Sequence, residues 1–126
     1  MKLSFKKFLK SISNAFHGIK YAFSQQNFFL MFLMAIGTLI LAFWLRISYF
    51  EWLIIIFLIG SILSLEMLNT VLEKTLDFLE PYISDKIKMI KDLIAGAVFI
   101  ACLTALILGF IIFLPKILIK IYVFFF

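Results

Sequence analysis

The sequence predicts an all-α integral membrane protein: three transmembrane helices preceded by an amphipathic surface helix. Three observations carry that expectation. Of 126 residues, 65% are hydrophobic and only 15% are charged, and the mean hydropathy is +1.17. A soluble domain of this size leaves much of its surface in water and cannot hide so much apolar area. The apolar residues fall in long uncharged runs, with only two prolines in the chain. Third, Glu66, Glu73, Asp77, Glu80, Asp85 and Asp92 are six of the seven acidic residues, and all lie in the window 66–92. One domain is expected for this length.

Residues 1–24 read as the amphipathic helix. Phe5, Phe8, Leu9, Ile12, Phe16, Ile19 and Phe23 recur at the spacing of one helix face, with Lys6, Lys7, Lys10 and Asn14 between them. A basic helix of this kind lies in the membrane interface. A secretory signal would bring its apolar core sooner and end in small residues, so the segment is expected to be retained. His17 sits on this helix beside Gly18, placed for a helix or headgroup contact rather than for chemistry.

The first span, 28–45, is 18 uncharged residues, about the minimum for a hydrocarbon core of roughly 30 Å. It ends at Arg46, and the short link to Glu51 sends the next helix back antiparallel. Trp44, Tyr49 and Trp52 mark an interface, where amphipathic rings prefer to sit. The second helix, 48–80, is apolar from 52 to 65, meets Glu66, and is expected to run on until Pro81 stops it. A polar link, 81–90, precedes the third span, 91–114, whose uncharged run is expected to close at Pro115. Ala95, Gly96 and Ala97 are small enough to let another backbone approach. The tail, 115–126, is basic and then aromatic, and is expected at the interface. Cys102 is the one cysteine; it allows no internal disulfide and is expected to pack.

Charge sets the topology. The net charge is +5, and the lysines flank apolar spans, which favours an anionic membrane surface over nucleic acid as partner. Lys2, Lys6, Lys7, Lys10 and Lys20 precede the first span, and Lys74, Lys86, Lys88 and Lys91 flank the second link. By the positive-inside rule the N-terminus and the acidic window face the cytoplasm of the inner (plasma) membrane, and the C-terminus faces out.

Glu66, Asn69, Glu73 and Asp77 fall within about 80° of one helix face and extend along about 16 Å of it. A carboxylate near hydrocarbon costs several kcal/mol unless paired or wetted, which makes such residues a functional hypothesis. Carboxylates with an amide can hold Mg²⁺ through oxygen, usually together with phosphates. Lys91 offers a point charge to a phosphate, and Glu66 can accept a hydroxyl proton. These parts suit phosphoryl transfer, although no Walker-type glycine loop is present. Two other readings stand beside it. The face can be a polar seam in a non-catalytic oligomer, with Glu73 paired to Lys91, or it can line the pathway of a small ion-conducting subunit.

The run E-M-L-N-T-V-L-E-K-T-L-D, residues 66–77, followed by K-D-L-I-A-G-A-V, residues 91–98, closely resembles the signature of the prokaryotic diacylglycerol kinase family, which includes undecaprenol kinases. Glu66, Asn69, Thr70, Glu73, Asp77, Lys91, Asp92, Ala95, Gly96 and Ala97 match its pattern. Residues 15–19 and 112–116 resemble family segments as well. The resemblance implies a homotrimer, ATP as phosphoryl donor, Mg²⁺, and a membrane lipid hydroxyl as acceptor. It implies Glu66 as general base and Glu73 as ligand of the metal that accompanies ATP. Asn69 and Asp77 would order the site, and Lys91 and Asp92 would contact the nucleotide. Gln25 stands where the family often has a glutamate metal ligand, so it would sit in the ATP and metal site as a neutral ligand. Phe29, Leu30 and Met31 replace polar residues, and Ser84 replaces a histidine. The S-x-E-x-x-N-T run and the F-L-P-K ending at 113–116 look more like the undecaprenol kinase branch, with diacylglycerol as the other acceptor.

Overall fold

The computed structural model describes residues 1–79 and 84–126. They form four helices: α1 (Phe5–Ala22), α2 (Gln26–Leu45), α3 (Tyr49–Leu79) and α4 (Asp85–Phe125). The last three are long and apolar enough to cross a membrane. Large apolar side chains stand exposed along all of them, Phe43, Phe57, Phe99 and Ile111 among them. In water such a surface would be untenable; against lipid it is the solvent-facing side.

Helix α1 starts at Ser4, whose hydroxyl accepts from the Lys7 N–H at 3.4 Å. Residues 23–25 turn the chain from α1 directly into α2, with no long linker. Phe23 meets the edges of Phe28 and Phe32, with ring centroids 5.1 and 4.8 Å apart, which fixes the end of α1 to the first turns of α2.

The corner between α2 and α3 is closed by backbone chemistry. Arg46 adopts the left-handed conformation at φ 52°, which costs a non-glycine residue about 1 kcal/mol. In return the Arg46 N–H donates to Phe43 O and the Ile47 N–H donates to Ala42 O, two carbonyls the helix would otherwise leave unpaired. Ala42 and Ile47 are both buried there. The next carbonyl, Trp44 O, accepts from Lys120 Nζ at 2.9 Å, and that ammonium also sits 4.3 Å from the centre of the Trp44 ring. Helix α3 opens with a reciprocal cap. Ser48 Oγ accepts from the Glu51 N–H at 3.3 Å, and Glu51 Oε1 accepts from the Ser48 N–H at 3.0 Å. Lys116 then pairs with the same Glu51 oxygen at 2.9 Å. The core lies at this end, where Ala42, Leu45, Ile47, Ile55, Ile112 and Phe113 pack together.

Two expectations about the third span are corrected. Residues 85–90 are helix rather than link, because Ser84 Oγ accepts from the Ile87 N–H at 3.2 Å and caps α4 six residues earlier than the link was expected to end. Pro115 does not end the helix; α4 runs through it to Phe125. A proline interrupts one hydrogen bond of the ladder. Ending a helix among apolar surroundings would strand several backbone groups at once, and Lys116 and Lys120 anchor the turns that follow. The expected stop at Pro81, together with Glu80, lies outside the described residues.

Candidate active site

The apolar run of α3 ends at Leu65, and the polar residues that follow share one ridge. Glu66 and Asn69 are the only buried polar side chains among the described residues, 3% and 6% exposed. Glu73 is half-buried and Asp77 exposed, so the ridge passes from dry to wet along its length. Asn69 Nδ2 donates to Glu73 Oε1 at 3.5 Å. Its carbonyl oxygen, Oδ1, is buried without a hydrogen-bond partner. A buried amide oxygen left unpaired costs about 1–3 kcal/mol, which marks Asn69 Oδ1 as the unsatisfied acceptor of the ridge among the described residues.

The structure joins some of the sequence-predicted site residues and leaves others apart. Lys91 on α4 donates to Asp77 Oδ1, tying the wet end of the α3 ridge to α4. The structural pairing expected for Lys91, with Glu73, is therefore not the one formed. One helical turn on α3 separates the two carboxylates, and the longer reach falls to Asp77. Asp92 instead takes Lys88 at 3.0 Å along α4. Gln25 precedes α2 as its N-cap residue and donates to Ser24 Oγ at 3.1 Å; no hydrogen bond joins it to Glu73. Glu66 and Glu73 are close enough for their charges to act on each other, and a neutral amide lies between them.

One neighbour was not visible in the sequence pattern. The Asn27 side chain, from the first turn of α2, stands beside the Glu66 carboxylate. The available signal was slight: a polar residue directly before the phenylalanine that opens the first span. Below this point an apolar cleft of about 460 Å³ runs between α2, α3 and α4. Met31, one turn on from Asn27, and Ile62, one turn before Glu66, both line it. Cys102 lines it too. The polar cluster thus lies one helical turn beyond the lining of an apolar groove.

Mg²⁺ can be tested against these residues. No three His, Cys, Asp or Glu side chains among the described residues gather to hold a metal on their own. Mg²⁺ is usually bound by one or two carboxylates together with substrate phosphates. The Glu73 carboxylate and the unpartnered Asn69 oxygen are hard oxygen donors of that kind, so the residues fit an ion that arrives with a nucleotide.

Comparison with known proteins follows the same outline. The family model for prokaryotic diacylglycerol kinase matches residues 13–113. An undecaprenol kinase of Bacillus subtilis (strain 168) is 40% identical over 111 residues, covering 87% of this chain and 90% of that protein.

Proposed function

The chain belongs to the prokaryotic diacylglycerol kinase family and is a lipid kinase, and from that premise we propose that it transfers the γ-phosphate of ATP to the hydroxyl of undecaprenol. The observation that carries the reading is the buried Glu66 carboxylate one helical turn beyond the lining of an apolar cleft. There a lipid chain can remain among apolar side chains while its hydroxyl reaches a base. The relative's name favours the isoprenoid alcohol over diacylglycerol.

In the proposed reaction the alcohol O–H donates to the Glu66 carboxylate. As the alcohol oxygen bonds to the γ-phosphorus, its proton passes to Glu66 and the bond from that phosphorus to the bridging oxygen breaks, releasing ADP. Asn69 holds Glu73 in place by its amide N–H and keeps its oxygen for a ligand. Glu73 and Asn69 would hold Mg²⁺, with Gln25 as a neutral further ligand. When bound, that ion supplies positive charge against the phosphate oxygens. Lys91 has N–H groups beyond the one given to Asp77, and these reach toward phosphate. Asp77 orders Lys91, and Asp92 completes the nucleotide side of the site. The lysines of α1 support a cytoplasmic N-terminus with this helix on the membrane surface. The assembly is read as a homotrimer, as the family resemblance implies, and the large exposed apolar faces of α2, α3 and α4 leave surface for neighbouring copies as well as for lipid.

The test is phosphorylation by the purified protein in mixed micelles with ATP and Mg²⁺, offered undecaprenol, diacylglycerol or no lipid. Phosphorylated undecaprenol is the expected product. Phosphorylation of diacylglycerol alone would overturn the acceptor, and phosphorylation of neither would overturn the reading.

A further inference from the structure

We infer that Asn27 is a positioning residue that docks the acceptor alcohol against Glu66, a role that rests on the lipid-kinase reading above. Two independent placements support it. The Asn27 side chain stands beside the Glu66 carboxylate. One turn into the bundle, Met31 on α2 and Ile62 on α3 line the same cleft, so the α2 ridge that carries Asn27 faces the α3 ridge that carries Glu66. The position is also braced. Phe28, the next residue, is buried, and the Phe23 ring meets its edge at 5.1 Å.

Donor supply gives Asn27 its task. Glu66 is buried and accepts only. No lysine or arginine forms an ion pair with it among the described residues. Asn69, on the same helix, gives one N–H to Glu73 and also stands against Glu66. Asn27 brings two N–H donors from the opposite helix and is itself exposed. One N–H steadies a Glu66 oxygen. The other donates to the oxygen of an alcohol whose own proton points at the second carboxylate oxygen. The hydroxyl is then held by its oxygen and its hydrogen, with its chain directed into the cleft. Asn27 fixes the angle at which the alcohol meets the base and does not touch the nucleotide.

The experiment compares wild type, Asn27→Ala, Asn27→Gln and Asn27→Asp in undecaprenol micelles, varying lipid and ATP separately, with Glu66→Gln as the inactive reference. Loss of a hydrogen bond to a charged group predicts that Asn27→Ala lowers kcat/KM for the lipid about 10- to 100-fold and leaves KM for ATP within about twofold. Asn27→Gln keeps the donors and recovers part of the loss. Asn27→Asp keeps the size, cannot donate, and falls at least as far as alanine. The inference is overturned if Asn27→Ala matches wild type, if Asn27→Asp does, or if KM for ATP rises in step with the lipid defect. Wild-type protein that phosphorylates no lipid would instead remove the kinase reading, and this inference with it.

Discussion

Replacing Glu66 with glutamine should raise stability while abolishing turnover. The side chain is 3% exposed, and the neighbours placed against it are amides, Asn27 and Asn69, with no cation paired to it among the described residues. A buried ion without a counter-charge carries a penalty of several kcal/mol even after relaxation. Glutamine has the same shape and can still bond to an amide, so it sheds most of that penalty while leaving little unsatisfied. The expected gain is about 1–2 kcal/mol. Activity should move the other way, because a positioned general base contributes about 10²- to 10⁴-fold. Both quantities are measurable in one detergent preparation: unfolding by titration with a denaturing detergent, and ATP-dependent phosphorylation of undecaprenol. A variant that loses a kilocalorie or more of stability yet keeps activity within tenfold of wild type would refute the reasoning. Glu66 would then be a structural member of the α3 seam and not the base.

Other perturbations separate the remaining roles. Glu73→Ala should raise the Mg²⁺ concentration for half-maximal activity at least about tenfold, since one of few carboxylate ligands is lost; an unchanged Mg²⁺ titration would remove Glu73 from the metal site. Lys91→Met should raise KM for ATP about tenfold or more and change stability by less than about 1 kcal/mol, because its ion pair with Asp77 is largely exposed. A KM for ATP that stays at the wild-type value would confine Lys91 to a structural pairing. Glu51→Ala should cost about 2 kcal/mol by undoing the cap of α3 together with the Lys116 pair. The corner lies at the other end of the bundle from Glu66, so the folded variant should keep its kcat; a drop in kcat at unchanged stability would contradict this.

What the sequence revealed followed local rules. Apolar runs located the first two spans within a few residues and the middle of the third, because chain length against bilayer thickness is a one-dimensional problem. The polar face shared by Glu66 and Asn69 was legible too, since both lie directly after the apolar run; their burial was not, because it depends on the helices packed around them. Contacts between distant segments were not. The α4 turns beyond Pro115 are held by Lys116 on Glu51 and Lys120 on Trp44, and no local signal weighs those bonds against a proline. Asp77 rather than Glu73 meets Lys91 because the angle between α3 and α4 decides which turn comes within reach. Asn27 was hidden for the same reason: its place beside Glu66 comes from the helix it faces. The early start of α4 could have been read, as Ser84 followed by Asp85 is an ordinary helix start.

The unbroken length of α4 has a consequence of its own. Its 41 residues make a rod of about 60 Å, roughly twice the hydrocarbon layer of a bilayer. Lys91, at the wet end of the α3 ridge, and Lys116, at the α2–α3 corner, are separated along it by about 38 Å of continuous helix. Both are tied to α3, through Asp77 and Glu51, so the two helices form a frame riveted at each end. Such a frame does not shorten to suit its surroundings. In a membrane of different thickness it tilts as a unit or deforms the lipid around it, and the depth at which the Glu66 carboxylate meets the bilayer surface changes with it.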